Sequence, residues 1–194
     1  VLLKGGLKAR LFRISFSGEL AFEVAVPANS GEAVADAIMA AGKAHGICAY
    51  GVEALNVLRI EKGFITHSEI DGRTTPDDVG LGKMFSTQKA DFIGKRLSSR
   101  FGLTAADRPQ LVGLKPVDRD KSFAAGAHLL KENVKPSTLN DQGWVSSVCH
   151  SPTLGHTIGL GFLKSGRERL GEKILVWDGL RGEETLAEVV SPVF

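Results

Sequence analysis

Two periodicities divide the chain. Residues 8–26 alternate as a β-hairpin does. In "ARLFRISF", Leu11, Arg13 and Ser15 fall on one face and Phe12, Ile14 and Phe16 on the other. Ser17-Gly18 supplies turn chemistry. "AFEVAV" alternates again, with Phe22, Val24 and Val26 on one face and Ala21, Glu23 and Ala25 on the other. After Pro27 the period lengthens. Asn29 followed by Glu32 makes a capping-box pattern, and Val34, Ala37, Ile38 and Ala41 recur at i, i+3, i+4, i+7, which predicts an amphipathic helix stopped near Gly46. A second helix is predicted from about Gly51 to Lys62, ended by Gly63. Its apolar residues point nearly all round, the pattern of a buried helix, with Asn56 and Arg59 as a polar spot. Thr75, Pro76 and Asp77-Asp78 form a good helix start, and "ADFIGKRLSSR" reads as a further short helix.

Beyond residue 103 the character changes. "TAADRP" reads as a linker, and six short β-type runs follow: "QLVGLKP", "AHLLKE", "GWVSSVCH", "TIGLGFL", "KILVWDG" and "TLAEVVSPVF". Strands at that density predict a small barrel or sandwich. The expected class is α+β followed by an all-β module, with domains over 1–103 and 104–194.

Composition narrows the function. With 194 residues, 43% hydrophobic and 24% charged, the chain has enough apolar surface for a sizeable core. A net charge of +2 is too mild for a nucleic-acid surface, and no apolar run approaches the roughly 20 residues of a membrane span. Cys48 and Cys149 make neither a disulfide framework nor a zinc site, and a reducing cytoplasm is the expected setting. The first residue is Val1 with no signal-like segment after it, which reads as a mature or trimmed piece.

The candidate chemistry centres on carboxylates. Glu23 lies between apolar neighbours on a strand, with Ala21 and Ala25 on its own face and Glu19 at the turn. Either that face is solvated, or the carboxylate receives a paired donor. A guanidinium fits such a carboxylate, and so does the amino-pyrimidine edge of a pterin. Arg59, on a helix that wants to be covered, either pairs with Glu61, Glu53 or a distant acid, or serves an anionic ligand or anchors Glu23 or Glu19. Cys149-His150 are adjacent on a strand and point to opposite faces, so they make no catalytic dyad. His67, Glu69 and Asp71 read as solvated loop polarity rather than a metal site, and no metal is expected.

Several phrases together carry a resemblance. "RISFSGELAFEVAVP", "YGVEALNVLRIEKGFI", "DGRTTPDDVGLG", "FIGKR" and "SSVCHSPTLGHTIGLGFL" resemble, in order, the blocks of the aminomethyltransferase-like folate-binding fold. That fold is shared by the glycine-cleavage T-protein, dimethylglycine dehydrogenase and the C-terminal part of the sarcosine oxidase α subunit. "EALNVLRIEKGFI…TPDD" is most similar to the last. The resemblance implies a partial folate-binding domain followed by a small β-barrel. It implies tetrahydrofolate as cofactor, and Glu23 as the residue that holds the pterin, with Phe16, Glu19 and Arg59 as further cofactor-binding positions.

The implied function is capture of the one-carbon unit of oxidised sarcosine as 5,10-methylenetetrahydrofolate. The setting is a cytoplasmic oxidoreductase with other sarcosine oxidase subunits as partners. Flavin and NAD belong on other parts of the enzyme, and neither nucleic acid nor membrane is a partner. The alternatives are a glycine-cleavage-type aminomethyltransferase and a non-catalytic folate-binding or assembly module. The family usually has tyrosine at Phe16, glycine at Ala21 and a folate-contacting arginine at Leu55. Its catalytic aspartate belongs to an earlier part of the fold and matches no residue here. The expectation is therefore no catalytic residue on this chain, and no turnover from it alone.

Overall fold

The β-rich half folds as its composition dictates. In the computed structural model, which describes residues 1–3, 5–85 and 88–194, six antiparallel strands close into a barrel. They are β3 (Pro109–Pro116), β4 (His128–Lys131), β5 (Asp141–Ser151), β6 (His156–Lys164), β7 (Lys173–Asp178) and β8 (Glu183–Val190), in the order β3-β6-β5-β4-β7-β8. Each of the six β-type runs became one strand, and closure leaves no sheet edge to cover. Alternate inward residues fill the interior, among them Val112, Leu114, Leu129, Val145, Leu163, Val176 and Val189, so the barrel is a packed core rather than a pore. A second cluster joins Ile60 to Leu111, Ile158, Leu160 and Phe162. At Gly143, on β5, the Phe162 backbone of β6 leaves no room for a side chain. A Cβ there would sit 1.8 Å from the Phe162 carbonyl oxygen.

The chain divides into two compact units, Val1–Arg59 and Ile60–Phe194. The first holds a hairpin, β1 (Arg10–Phe12) with β2 (Glu23–Ala25), followed by helix α1 (Gly31–Gly42) and most of helix α2 (Val52–Glu61). The strands are shorter than alternation suggested, because the connection from 13 to 22 stays out of the ladder. The capping box at Asn29 did not form. Ser30 is the N-cap of α1, without a side-chain cap bond, and α1 buries none of its residues. Nor is α2 covered all round. Val52 is 83% exposed while Ile60 is fully buried, so burial grows along the axis.

In the second unit the end of α2 is gripped by the barrel. Ser151 Oγ donates to Glu61 Oε1 (2.6 Å), and Phe194 N donates to Glu61 O (3.0 Å). Gly63 follows with φ 67°, against the Pro192 carbonyl, where a side chain has neither the room nor the backbone freedom. Thr75 caps a turn rather than a helix. Asp78 N donates to Thr75 Oγ1 (3.3 Å), and Thr75 N donates to Asp78 Oδ2 (2.7 Å). The reciprocal bonding of a capping box is there, but the carboxylate goes on to Arg108 and the chain goes on as a turn. "ADFIGKRLSSR" keeps only the one-turn helix α3 (Lys95–Ser98). Among the described residues no helix is long and apolar enough to cross a membrane.

Candidate functional site

The hairpin sets the site. Register pairs Arg10 with Ala25, Leu11 with Val24 and Phe12 with Glu23. Directly opposed residues share a face, so Arg10, Phe12, Glu23 and Ala25 lie on one side of the ribbon and Leu11 and Val24 on the other. Glu23 is exposed, beside the Phe12 ring position and one step from a cation. Its small neighbour on that face is Ala25, while Ala21 lies before the ladder begins.

The connection turns at Gly18 (φ 84°) and encloses a cavity of about 280 Å³. Arg13, Ser15, Glu19, Leu20 and Ala21 are among its lining residues. Ser15 Oγ is buried with no hydrogen-bond partner, and Ser17 is buried beside it in sequence. An orphaned buried hydroxyl costs on the order of 1–3 kcal/mol, a cost that a ligand with a matching polar atom would remove. Glu19 lines this cavity; Glu23 and Phe16 do not. Phe16 sits at the turn, about two-fifths exposed. Sequence reasoning placed Arg13 and Ser15 on a strand face and gave them no role. Their signal is a cation and a hydroxyl at i and i+2, before a turn that brings a carboxylate back.

Arg59 differs in kind. It is 3% exposed on α2, and its Nε donates to Asn56 Oδ1 (2.8 Å), which makes the polar spot of that helix a bonded pair.

A second polar constellation lies within the barrel unit, and it corrects one expectation. Glu69 is no solvated loop residue, for it is 1% exposed. Its Oε1 accepts from Ser146 Oγ (2.8 Å) and Ser147 Oγ (2.6 Å), and its Oε2 from Thr66 N (2.9 Å) and Thr66 Oγ1 (3.1 Å). Consecutive strand residues normally point to opposite faces. Here the register of β5 shifts between Val145 and Ser147, and that bulge turns both hydroxyls to one carboxylate. Nearby in sequence, Asp78 takes two bonds from Arg108, at 2.8 and 2.5 Å. Burial pushes the Asp78 carboxyl up, but the bonds from Arg108 and Thr75 outweigh it and hold it below the usual range. Asp71 is held at about 2 by hydrogen bonds from the Arg73 side chain and backbone. Asp71, Arg73, Asp78 and Arg108, though not Glu69, line a cavity of about 240 Å³ against Trp144 and Phe162, whose rings stack at 5.1 Å. The charges there are matched within the loop, which suits anchoring better than chemistry. Among the described residues no group of three His, Cys, Asp or Glu could hold a metal ion.

The class follows from this fold and from two family matches. Residues 3–89 match the GCVT N-terminal domain, and residues 110–194 match the glycine cleavage T-protein C-terminal barrel domain. The chain belongs to the glycine cleavage T-protein family. More particularly, it is similar to sarcosine oxidase subunit alpha of Rhizobium meliloti (strain 1021), 55% identical over all of this chain and 20% of that protein. The same subunit of Corynebacterium sp. (strain U-96) is 45% identical over 89% of this chain and 18% of that protein. An aminomethyltransferase of Halothermothrix orenii is 31% identical over 97% of this chain and half of its own length. The crystal structure of the glycine cleavage system aminomethyltransferase T from Bartonella henselae superposes with a TM-score of 0.79 at 26% identity, over 95% of this chain and 49% of that one. The chain thus spans about a fifth of its sarcosine oxidase relatives and about half of the aminomethyltransferases.

Proposed function

We propose that this chain holds tetrahydrofolate for the capture of a one-carbon unit released by amine oxidation, within an enzyme of the sarcosine oxidase type. The observation that carries the reading is Glu23, an exposed carboxylate on a hairpin strand, with Ala25 on its own face and Phe12 opposite. The residues present fit the group. Glu23 accepts the two parallel N–H groups of the amino-pyrimidine edge, a charge-assisted and directional arrangement. The aromatic Phe16 at the turn covers the ring system. The orphaned Ser15 hydroxyl and Glu19, both lining the apex cavity, take polar atoms of the ligand. At about 280 Å³ that cavity suits a ring system rather than a whole folate. Arg59, bonded to Asn56, completes the polar end of α2.

Tetrahydrofolate supplies the nucleophilic nitrogens that take up the one-carbon unit. The chain's own contribution is orientation, which fixes which nitrogen meets the incoming carbon and removes the entropy of a bimolecular encounter. Other parts of the enzyme, with their flavin and dinucleotide, carry out the oxidation. The setting is the cytoplasm, and the boundary in sequence between the folate-binding and barrel domains falls near residue 103. Similarity to aminomethyltransferases supports a second reading, aminomethyl transfer without a flavin partner. Leu55 speaks against it, since it stands where the T-proteins usually carry a cation.

Calorimetric titration with tetrahydrofolate tests the reading. Measurable binding by the wild type, weakened by Glu23→Gln, is the expected result. Wild-type protein that takes up no heat above dilution would sink it.

A further inference from the structure

The outer face of the barrel carries a further cavity, of about 320 Å³, within the unit Ile60–Phe194 and sharing no residue with the hairpin. Strand pairing builds its wall. His128 on β4 lies directly opposite Trp177 on β7, and the two ring centroids are 5.7 Å apart. Directly opposed residues share a face. Their neighbours Leu129 and Val176 are buried in the core, so both rings face outward. The β7–β8 connection lies against the indole, for a Cβ at Gly179 would come 2.8 Å from that ring. Asp178 ties the connection down. Its Oδ1 accepts from Leu180 N (3.0 Å) and Arg181 N (3.1 Å), and its Oδ2 from the Arg181 guanidinium. Leu180, which also lines the cavity, is left 99% exposed at the tip.

The lining groups define the chemistry the cavity can take. Two rings held in place form a wall suited to a flat aromatic molecule. The charged lining side chains, Asp178 and Arg181, pair with each other, so the lining has no net formal charge and suits a neutral ligand. His128 Nδ1 is bonded to Asp141 Oδ2 (3.1 Å). A carboxylate only accepts, so Nδ1 carries the proton, and in the neutral imidazole Nε2 is an acceptor. Among the described residues His128 Nε2, Trp177 Nε1 and the Thr138 hydroxyl make no hydrogen bond. The lining thus offers an acceptor, a donor and a hydroxyl that can be either. Its volume lies at the small end of ligand pockets, which fits a molecule of one or two rings.

We propose that this cavity binds a neutral, planar heteroaromatic molecule of one or two rings whose edge carries an N–H beside a carbonyl. The ring lies against Trp177 and His128. Its N–H donates to His128 Nε2, its carbonyl accepts from the Thr138 hydroxyl, and Leu180 covers it from outside. The proposal stands independently of the folate reading, because the two sites share no residue.

Fluorine NMR of the whole protein labelled with fluorotryptophan tests it. The probe is isoquinolinone, a flat two-ring lactam, and the control is N-methylisoquinolinone, which has lost the edge N–H. The Trp177 resonance is the one that disappears in Trp177→Phe. Isoquinolinone is expected to shift that resonance saturably, and N-methylation to weaken binding roughly five- to tenfold. His128→Phe keeps a ring and removes the acceptor. It is expected to weaken isoquinolinone by a similar factor and to leave the affinity of the N-methyl compound unchanged. Saturating tetrahydrofolate is expected to leave the shift in place. No saturable shift at Trp177 would overturn the proposal, whether the cavity is empty or filled by protein. So would equal affinity for the two compounds, or displacement by tetrahydrofolate. The comparison of the two compounds uses the unaltered protein, so it decides the matter even where His128→Phe does not fold.

Discussion

Glu23 and Glu19 look alike in sequence and sit in different surroundings. Glu23 is on the ladder, opposite Phe12, with Ala25 on its face; Glu19 is at the turn, lining a cavity with Arg13 and Ser15. A charge-assisted bond is worth about 1.5–3 kcal/mol, so Glu23→Gln is expected to weaken tetrahydrofolate binding roughly 10- to 150-fold. Glu19→Gln, at a position nearer the ligand's edge, is expected to cost a few-fold. Equal losses in titration calorimetry would contradict the assignment. Asp78 makes a different kind of prediction. Its carboxyl is held below the usual range by Arg108, so its contribution is fully present above the unfolded value of about 3.9 and is lost as pH falls through the folded value. In urea melts taken from pH 6 down to pH 2, Asp78→Asn is expected to be less stable near neutrality and to lose less on acidification. Parallel curves for wild type and variant would refute the role of the pair.

At the scale of elements, two local rules were overruled by what lay around them. Thr75-Pro76-Asp77-Asp78 has the residues of a helix start, and the reciprocal bonds formed. Arg108 then claimed the carboxylate and the helix did not follow. Glu69 was hidden for a related reason. A carboxylate in a polar stretch reads as solvated, and nothing local announces that a bulge some 77 residues away will aim two hydroxyls at it. Glu69→Ala removes the carboxylate that Ser146, Ser147 and Thr66 bond, and is expected to destabilise the barrel unit by about 2–3 kcal/mol in chemical denaturation. A loss under about 0.5 kcal/mol, the ordinary range for surface changes, would mean the carboxylate is not the anchor. Gly143→Ala drives a methyl into the Phe162 carbonyl, and is expected to cost about 3 kcal/mol. A variant as stable as wild type would show that the strands part more easily than their register suggests. The barrel strands were legible because each is a short apolar run between turn residues. The hairpin was legible as alternation, but its ladder is only three residues a side.

Across the whole molecule, the barrel explains its own stability and the hairpin does not. The barrel has closed edges and a filled core. The hairpin is a two-stranded ribbon with Leu11, Phe12, Ile14, Phe22 and Val24 exposed, and such a ribbon is marginal alone in water. The chain spans about a fifth of its sarcosine oxidase relatives, and the proposed reading gives it one task, to hold and orient a folate. The most direct test is a cycle that changes protein and ligand together. Dissociation constants are measured for wild type and Glu23→Gln with tetrahydrofolate and with its 2-deamino analogue, which lacks one of the paired donors. If Glu23 holds the pterin edge, each single change weakens binding and the double change costs little more than either, a coupling of at least about 1 kcal/mol. Losses that simply add would mean that Glu23 and the pterin amino group do not meet, and the central claim would fall.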